Sequence, residues 1–253
     1  MRLLLANPNT TQAVTDRVAD AARRVAGPGT EIVTATATFG AAVIGTRTEM
    51  AVAEHASVSL LAQHATGCDG AIVAASLDSG VRAAREMLAV PVLGITEAAL
   101  HTACLLGGRF GVLTLSARSA AVTREMIEAY GLLSRMAGLR FLATAPQDLL
   151  RDPDAAVPAL TDAAHRLVRD DLADVVVLVG AVMAGMPERM AGRMGGRMAT
   201  VGVPVIEGVS CAVPLLEGLI RLALPKAVAG SYAALEQRPL TGVDPALQAR
   251  FGV

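Results

Sequence analysis

The stretch that decides the fold is AIVAASLDSG at 71–80, and a similar stretch, VVVLVGAVMAGM, occupies 175–186. Each follows an aspartate, and each is a short apolar run that gives way to small and turn-forming residues. This pattern is typical of a buried parallel strand that delivers a loop to a ligand site. The two stretches lie about 105 residues apart, and recurrence at a fixed spacing indicates repeated structural units.

Two other pairs of segments recur in the same order and at nearly the same spacing. LLLANPNTT at 3–11 resembles GVLTLSARS at 111–119, and VPVLGITEAAL at 90–100 resembles VPVIEGVSCAV at 203–213. Strand and helix patterns alternate along the chain with short links, which predicts parallel sheets covered on both faces. We therefore predict an α/β fold of two similar Rossmann-like parallel-sheet domains with pseudo-two-fold symmetry.

Composition excludes several classes of protein. The 253 residues suffice for a substantial core. The formal net charge is −1 and no basic block is present, which argues against a nucleic-acid partner. The longest apolar runs are interrupted before the roughly 20 residues of a membrane span, and the N-terminus is typical of a strand and turn rather than a signal peptide. Three widely spaced cysteines indicate reduced thiols in a cytoplasmic protein, and no metal-ligand spacing appears.

Four loops are expected to converge on one site. In open α/β sheets, ligands bind beyond the carboxyl ends of the strands. The loops there are at 7–11, 75–80, 114–118 and 180–185, and each leads into the start of a helix, where backbone N–H groups attract anions. Two units that face each other would enclose a small carboxylate or a cyclic imide between them.

Each candidate side chain in these loops has a structural alternative. Asn7 either contacts the ligand or makes an Asx-turn. Asp78 either caps the following helix or acts as a general base at the mouth of the site. Ser76 is a ligand hydrogen-bond donor or a turn residue, and Thr114 and Ser116 either bind a substrate oxygen or cap the next helix.

Charged residues outside these loops have weaker signals. Arg47 is a lone cation in a glycine-containing loop, and such an arginine usually forms a surface salt bridge. His101 follows Glu97 by four positions on a predicted helix, which is typical of a solvated pair but also offers a proton carrier. Cys104 and Cys211 are interpreted as small buried residues within helices.

The quoted segments together carry a resemblance. The chain resembles the aspartate/glutamate/hydantoin racemase superfamily, nearest its hydantoin racemase branch. The segments that carry the resemblance are NPNTT after the first strand, CDGAIVAASLDSGVRAARE, VPVLGITEAALHTA, GVLTLS, and ADVVVLVGAVMAGM followed by VPVIEGVSCAV. The similarity covers about residues 1–222. It implies a cofactor-free enzyme with its site between two domains, the first formed by 1–97 plus 206–253 and the second by 98–205. We also expect a homo-oligomer.

The resemblance also exposes a departure. Racemases of this family carry one cysteine after the third strand and one after the seventh, so that one thiolate removes the α-proton and the other thiol returns a proton on the opposite face. Ala75 and Gly180 stand at these positions, and a shift of one residue brings Ser76 and Ala181 instead. Racemisation by two thiols is therefore not expected, although a racemase whose cysteines had been removed by mutation would have the same sequence.

We predict a cofactor-free enzyme that acts on a small carboxylate or a hydantoin-type cyclic ureide without the two-cysteine pair. The alternatives are a decarboxylase or ring-opening hydrolase in the same cleft, and a non-catalytic binding homologue. The candidate catalytic residues are Asp78, Ser76 and His101. The candidate substrate-binding residues are Asn7, Arg47, Ala75, Thr114, Ser116, Gly180, Ala181 and Val182.

Overall fold

The computed structural model describes residues 1–191, 201–233 and 235–252, and it contains two four-stranded parallel sheets. The strand orders are β2-β1-β3-β4 and β6-β5-β7-β8, so the second sheet repeats the topology of the first and the predicted fold class is confirmed. The strands are β1 (Arg2–Asn7), β2 (Glu31–Thr36), β3 (Gly70–Val73), β4 (Val92–Gly94), β5 (Phe110–Thr114), β6 (Met136–Phe141), β7 (Val175–Leu178) and β8 (Val205–Glu207).

Helices cover both sheets. They are α1 (Gln12–Val25), α2 (Arg47–His64), α3 (Val81–Met87), α4 (Ile95–Leu106), α5 (Ala117–Ala129), α6 (Pro146–Arg151), α7 (Val157–Arg169), α8 (Met186–Met190), α9 (Gly208–Arg221) and α10 (Pro245–Ala249). Within the described ranges, no helix combines the length and the hydrophobicity needed to cross a membrane.

The two sheets share a detail at the start of their central strands. Asp69 accepts a hydrogen bond from the backbone N–H of Arg2 at 2.7 Å, and Asp174 accepts one from the backbone N–H of Arg109 at 2.8 Å. In each half, the aspartate before the inner strand therefore binds the backbone at the start of the neighbouring strand, at the first residue of β1 and at the residue that precedes β5. The strands that follow, β3 and β7, are buried along their whole length, as their apolar sequences predict.

The halves exchange the helices that follow their last strands. Helix α4 packs against β7 and β8 of the second sheet, and α9 packs against β3 and β4 of the first. The approach is close, because a Cβ atom on Gly70 would lie 3.0 Å from Leu216 and one on Gly208 would lie 2.5 Å from the carbonyl oxygen of Ile95. Packing of α9 on the first sheet brings the C-terminal part of the chain back to the N-terminal half. The domain boundaries at 97/98 and 205/206 stay a prediction.

Two elements differ from the sequence-based expectation. Strand β6 begins at Met136, whereas the sequence pattern predicts a strand over 139–143, and no helix is predicted where α6 forms. All six residues of β6 are half-buried or exposed, so this edge strand lacks a strong apolar pattern. A helix was also predicted over 187–198. Only α8 is seen within it, and 192–198 lies outside the described residues.

Candidate functional site

A cavity of about 140 Å³ lies at the carboxyl ends of both sheets, where the loops of the two halves meet. The first half contributes residues of 9–14, 42–45 and 75–76, and the second half contributes residues of 114–119, 144–150 and 179–182. Of the predicted substrate-binding residues, the structure brings together at this cavity Ala75, Thr114, Ser116, Gly180, Ala181 and Val182, together with the candidate catalytic residue Ser76.

The loops that follow β3 and β7 fold in the same way. The N–H of Asp78 donates to the carbonyl of Ala75 at 3.0 Å, and the N–H of Met183 donates to the carbonyl of Gly180 at 2.8 Å. Each loop then passes through a glycine with positive φ before α3 or α8 begins. At Gly80 a side chain is also excluded sterically, because a Cβ atom would lie 2.8 Å from the Cβ of Ser57. The repeated turn places residues 75–76 and 180–182 on two walls of the cavity.

Hydroxyl groups at the end of β5 line a third wall. Ser116 caps α5 by accepting a hydrogen bond from the N–H of Ser119 at 3.1 Å, and the Ser119 hydroxyl accepts one from the N–H of Ser116. The Ser119 oxygen also lies 3.0 Å from that of Thr114. Ser116 thus caps the helix and lines the cavity at once. Ser119 was not predicted, although its spacing from Ser116 is that of a capping box.

The NPN loop presents a different asparagine from the one predicted. Asn7 is buried behind the loop, where its amide donates to Asn9 Oδ1 at 3.1 Å and to Thr15 Oγ1 at 2.9 Å. Its own Oδ1 accepts from the N–H of Asn9, which is an Asx-turn. Asn9 and Thr11 line the cavity, and Asn7 is not among the lining residues. Asn7 therefore shapes the loop, and its neighbours Asn9 and Thr11 are the residues of this loop that reach the cavity.

The loop before α2 covers the cavity on the side of the first half. The hydroxyl of Thr11 donates to the carbonyl of Ala42 at 2.9 Å, and Glu49 accepts from the N–H of Gly45 at 2.9 Å. Arg47 itself is exposed and points away from the cavity to form an ion pair with Glu125 of α5. The side chain predicted as a possible substrate contact is thus a surface link between the two halves.

Arg17 of α1 anchors the opposite wall, and nothing in the sequence indicated this role. Its guanidinium donates to the carbonyls of Val182 at 3.0 Å, Leu149 at 3.1 Å and Leu150 at 3.2 Å. Val182 and Leu150 both line the cavity. An arginine from the first half therefore fixes two segments of the second half at the edge of the site.

The two charged candidates for proton transfer lie elsewhere. The buried Asp78 carboxylate accepts hydrogen bonds from the N–H groups of Thr96 at 3.0 Å and Glu97 at 2.7 Å, and from the Tyr130 hydroxyl at 2.9 Å. Burial raises the pKa of Asp78 to about 7 against the opposing effect of these donors. His101 lies on the exposed face of α4, with Nδ1 2.8 Å from the carbonyl oxygen of Glu97. Neither side chain is among the residues that line the cavity.

The cavity wall, as far as the structure describes it, carries no titratable side chain. Cys68 precedes β3, Cys104 lies on α4 and Cys211 lies on α9, and none of the three is among the lining residues. The polar groups available to a ligand are the side chains of Asn, Gln, Ser and Thr and the backbone of the loops. No cluster of possible metal ligands is found in the described part of the chain.

The structure is that of an α/β protein with two parallel-sheet units and, between their strand ends, a cavity whose described lining residues carry no charged side chain. This chain belongs to the Asp/Glu/hydantoin racemase family, whose model matches residues 3–216. It is 29% identical to a hydantoin racemase from Pseudomonas sp. (strain NS671) over 96% of this chain and 95% of that protein.

Solved structures agree with this assignment. The allantoin racemase from Pseudomonas fluorescens is 36% identical, with a TM-score of 0.89 over 96% of this chain and 100% of that one. The allantoin racemase from Klebsiella pneumoniae is 30% identical, with a TM-score of 0.90 over 98% of this chain and 99% of that one. The resemblance that was identified from the sequence segments is thereby confirmed.

Proposed function

We propose that this chain is a cofactor-independent enzyme that acts on a neutral, hydantoin-type cyclic ureide in the cavity between its two halves. The observation that carries the proposal is the neutral, hydrogen-bonding lining of that cavity. A cyclic ureide has carbonyl acceptors and N–H donors that match hydroxyl, amide and backbone groups. A small carboxylate would lose its hydration among the described lining residues without gaining a cationic side chain, and burial of an unpaired charge is costly.

The proposed chemistry is proton transfer at the ring carbon next to a carbonyl. When the C–H bond breaks, its electron pair moves toward the carbonyl oxygen, and N–H or hydroxyl donors already in place stabilise the negative charge there. Ala75 and Gly180 have no group that can carry a proton, so a water molecule takes and returns the proton in this scheme. In the same scheme Ser76, which lines the cavity, holds that water through its hydroxyl group.

A non-catalytic binding protein is the second candidate. It is favoured by the same lining, because general acid–base catalysis normally uses a positioned side chain that titrates near the working pH. In that case the cavity keeps its ligand and the proton exchange is lost. Cytoplasmic location and self-association are further expectations of this proposal.

The test compares 5-methylhydantoin, allantoin and N-carbamoyl-alanine, the last being the ring-opened carboxylate of the first. Binding is measured by calorimetry, and exchange of the ring α-proton is followed by NMR in D₂O. The proposal predicts saturable binding of the cyclic compounds and exchange above the buffer rate, with no binding of the open carboxylate. Binding without exchange would support the second candidate, and the same spectra would reveal ring opening or decarboxylation. Preference for N-carbamoyl-alanine would contradict both candidates.

A further inference from the structure

The two halves of the chain cap their equivalent helices in different ways. When 90–98 is matched with 203–211, Gly94 corresponds to Glu207. Glu207 is the residue before α9, and its carboxylate accepts hydrogen bonds from the N–H groups of Val209 at 2.7 Å and Ser210 at 2.9 Å. This is an ordinary cap, in which a side chain satisfies the free N–H groups of the helix that it precedes.

In the first half the cap comes from another loop. The N–H groups that correspond to those of Val209 and Ser210 belong to Thr96 and Glu97, and both donate to Asp78. Gly94 leaves room for this carboxylate, because a Cβ atom on Gly94 would lie 2.3 Å from the Asp78 Cγ. In the second half, the residue that corresponds to Asp78 is Met183, which is fully buried.

This exchange of caps fastens a wall of the cavity to α4. Asp78 follows Ala75 and Ser76, and its own N–H closes the turn on the Ala75 carbonyl. The hydroxyl of Thr96 donates to the carbonyl of Ser76 at 2.8 Å, so the first turn of α4 holds the loop at two points. Asp78 also has a positive φ of 47°, a conformation that non-glycine residues seldom adopt and that the carboxylate contacts hold in place.

A link to the second half completes the arrangement. Tyr130, at the end of α5, donates its hydroxyl to the same Asp78 oxygen that accepts from Glu97. Helix α5 begins at the hydroxyl cluster of the cavity, so the carboxylate contacts elements that reach two different walls.

We propose that Asp78 is a positioning residue that sets the cavity loop 75–77 by capping α4 from that loop, in place of the side chain missing at Gly94. This assigns to Asp78 a role different from that of a general base. The proposal concerns the loop and holds whether or not the proposed substrate is right.

The experiment transfers the cap of the second half to the first. Three variants are compared with the wild type: Asp78→Met, Gly94→Glu, and the double variant. The singles should each lose about 2–8 °C in Tm, Asp78→Met because the cap is removed and Gly94→Glu because the new side chain overlaps Asp78. The double variant should recover part of that loss, because the carboxylate introduced at position 94 can cap α4 as Glu207 caps α9. Recovery is incomplete because a Cβ atom at position 94 lies 2.8 Å from the Cβ of residue 78, which the Asp78→Met substitution retains. A triple variant adds Tyr130→Phe to the double variant, because the Tyr130 hydroxyl has lost its acceptor when Asp78 is replaced.

Loop order is read separately from stability, by hydrogen–deuterium exchange of the peptide that spans 74–82. We expect the double variant to exchange about tenfold faster there than the wild type, although its Tm is partly recovered, because its cap no longer belongs to the loop. Binding of 5-methylhydantoin, where it occurs in the wild type, should weaken in parallel.

If the double variant exchanges at 74–82 at the same rate as the wild type, the proposal is overturned, since the loop is then held in place without Asp78. If the double variant does not fold, Asp78→Asn provides the same comparison with a smaller change, measured at pH 8, where Asp78 is ionised. Its single amide oxygen replaces only one of the two carboxylate oxygens that accept separately from the N–H groups of Thr96 and Glu97. Unchanged loop exchange in Asp78→Asn would likewise refute the proposal. Neither exchange measurement needs a substrate, so its failure is distinguishable from failure of the proposed function.

Discussion

The titration of Asp78 gives a stability prediction with a definite sign. Burial raises its pKa from 3.8 to about 7 in the folded protein, although three donors act in the opposite direction. Between these values the folded state binds more protons than the unfolded state. The contribution of Asp78 to stability is therefore fully present below about pH 4 and is lost as the pH rises through 7.

The size of the effect follows from the shift. One pH unit within the window corresponds to about 1.4 kcal/mol for one group, so the full window corresponds to at most about 4 kcal/mol. Charged neighbours modulate the value: Glu97 raises the pKa of Asp78, and Arg85 forms an ion pair with Glu97 at the same end of α4. Burial also raises the pKa of Glu207, so the titration of Glu207 likewise lowers the unfolding free energy as the pH rises.

The assay is urea unfolding of the wild type and Asp78→Asn at half-unit steps from pH 4 to 8. The Glu207 contribution cancels in the difference between the two proteins. Between pH 4 and 7 the wild type should lose several kcal/mol of unfolding free energy relative to Asp78→Asn. Above pH 7 the difference should stay constant. A constant difference over the whole range would show that the three donors balance the effect of burial, and a difference that moves in favour of the wild type as the pH rises would show that they outweigh it; either result would refute the reasoning.

Three further predictions concern the cavity walls and the cysteines. Arg17→Ala should destabilise the fold by about 1–3 kcal/mol by calorimetry and weaken ligand binding, whereas the α1 control Arg23→Ala should change neither, because Arg23 is exposed. Ser116→Ala should cost about 1 kcal/mol as a lost cap, and Ser116→Thr should recover the stability, as urea unfolding will show. Alkylation should modify Cys104 before the buried Cys68 and Cys211, and ligand binding and α-proton exchange should be unchanged. Loss of either in a folded protein that is modified at one cysteine would refute this. Burial raises the pKa of Cys68, which further lowers its reactivity.

The fold was predictable from sequence to a large extent, because its strongest signals are local. Strands such as β3 and β7 are short, wholly apolar runs bounded by turn residues, and the repetition of three segments indicated two units. The edge strand β6 and the six-residue helix α6 carry no such pattern, although Pro146 at the start of α6 is a usual helix-start signal. Their positions depend on packing against distant residues.

The site was predictable at the level of loops but not always of side chains. The positions beyond β3, β5 and β7 follow from the topology of parallel sheets, and they do line the cavity. Sequence could not decide between Asn7 and Asn9, because the Asx-turn reverses which side chain faces outward. It also placed Asp78 near the site, whereas the positive φ at this residue turns the carboxylate toward α4.

Arg17 shows a third limit of prediction from sequence, which is the long-range contact. Its partners at Leu149 and Val182 are 132 and 165 positions away along the chain, and carbonyl acceptors have no sequence signature. Only the approach of the two halves reveals the contact.

The most direct test of the central claim is a crystal structure of the protein soaked with 5-methylhydantoin. We predict that the ring lies between the loop at 75–76 and the loop at 180–182, with its carbonyl oxygens within hydrogen-bonding distance of backbone N–H groups or of the Thr114, Ser116 and Ser119 hydroxyls. Two other surface grooves are available, one lined in part by Asp78 and Tyr130 and one lined in part by Arg17 and Arg24. A ring bound in either of these, with the cavity between the halves containing only water, would contradict the account.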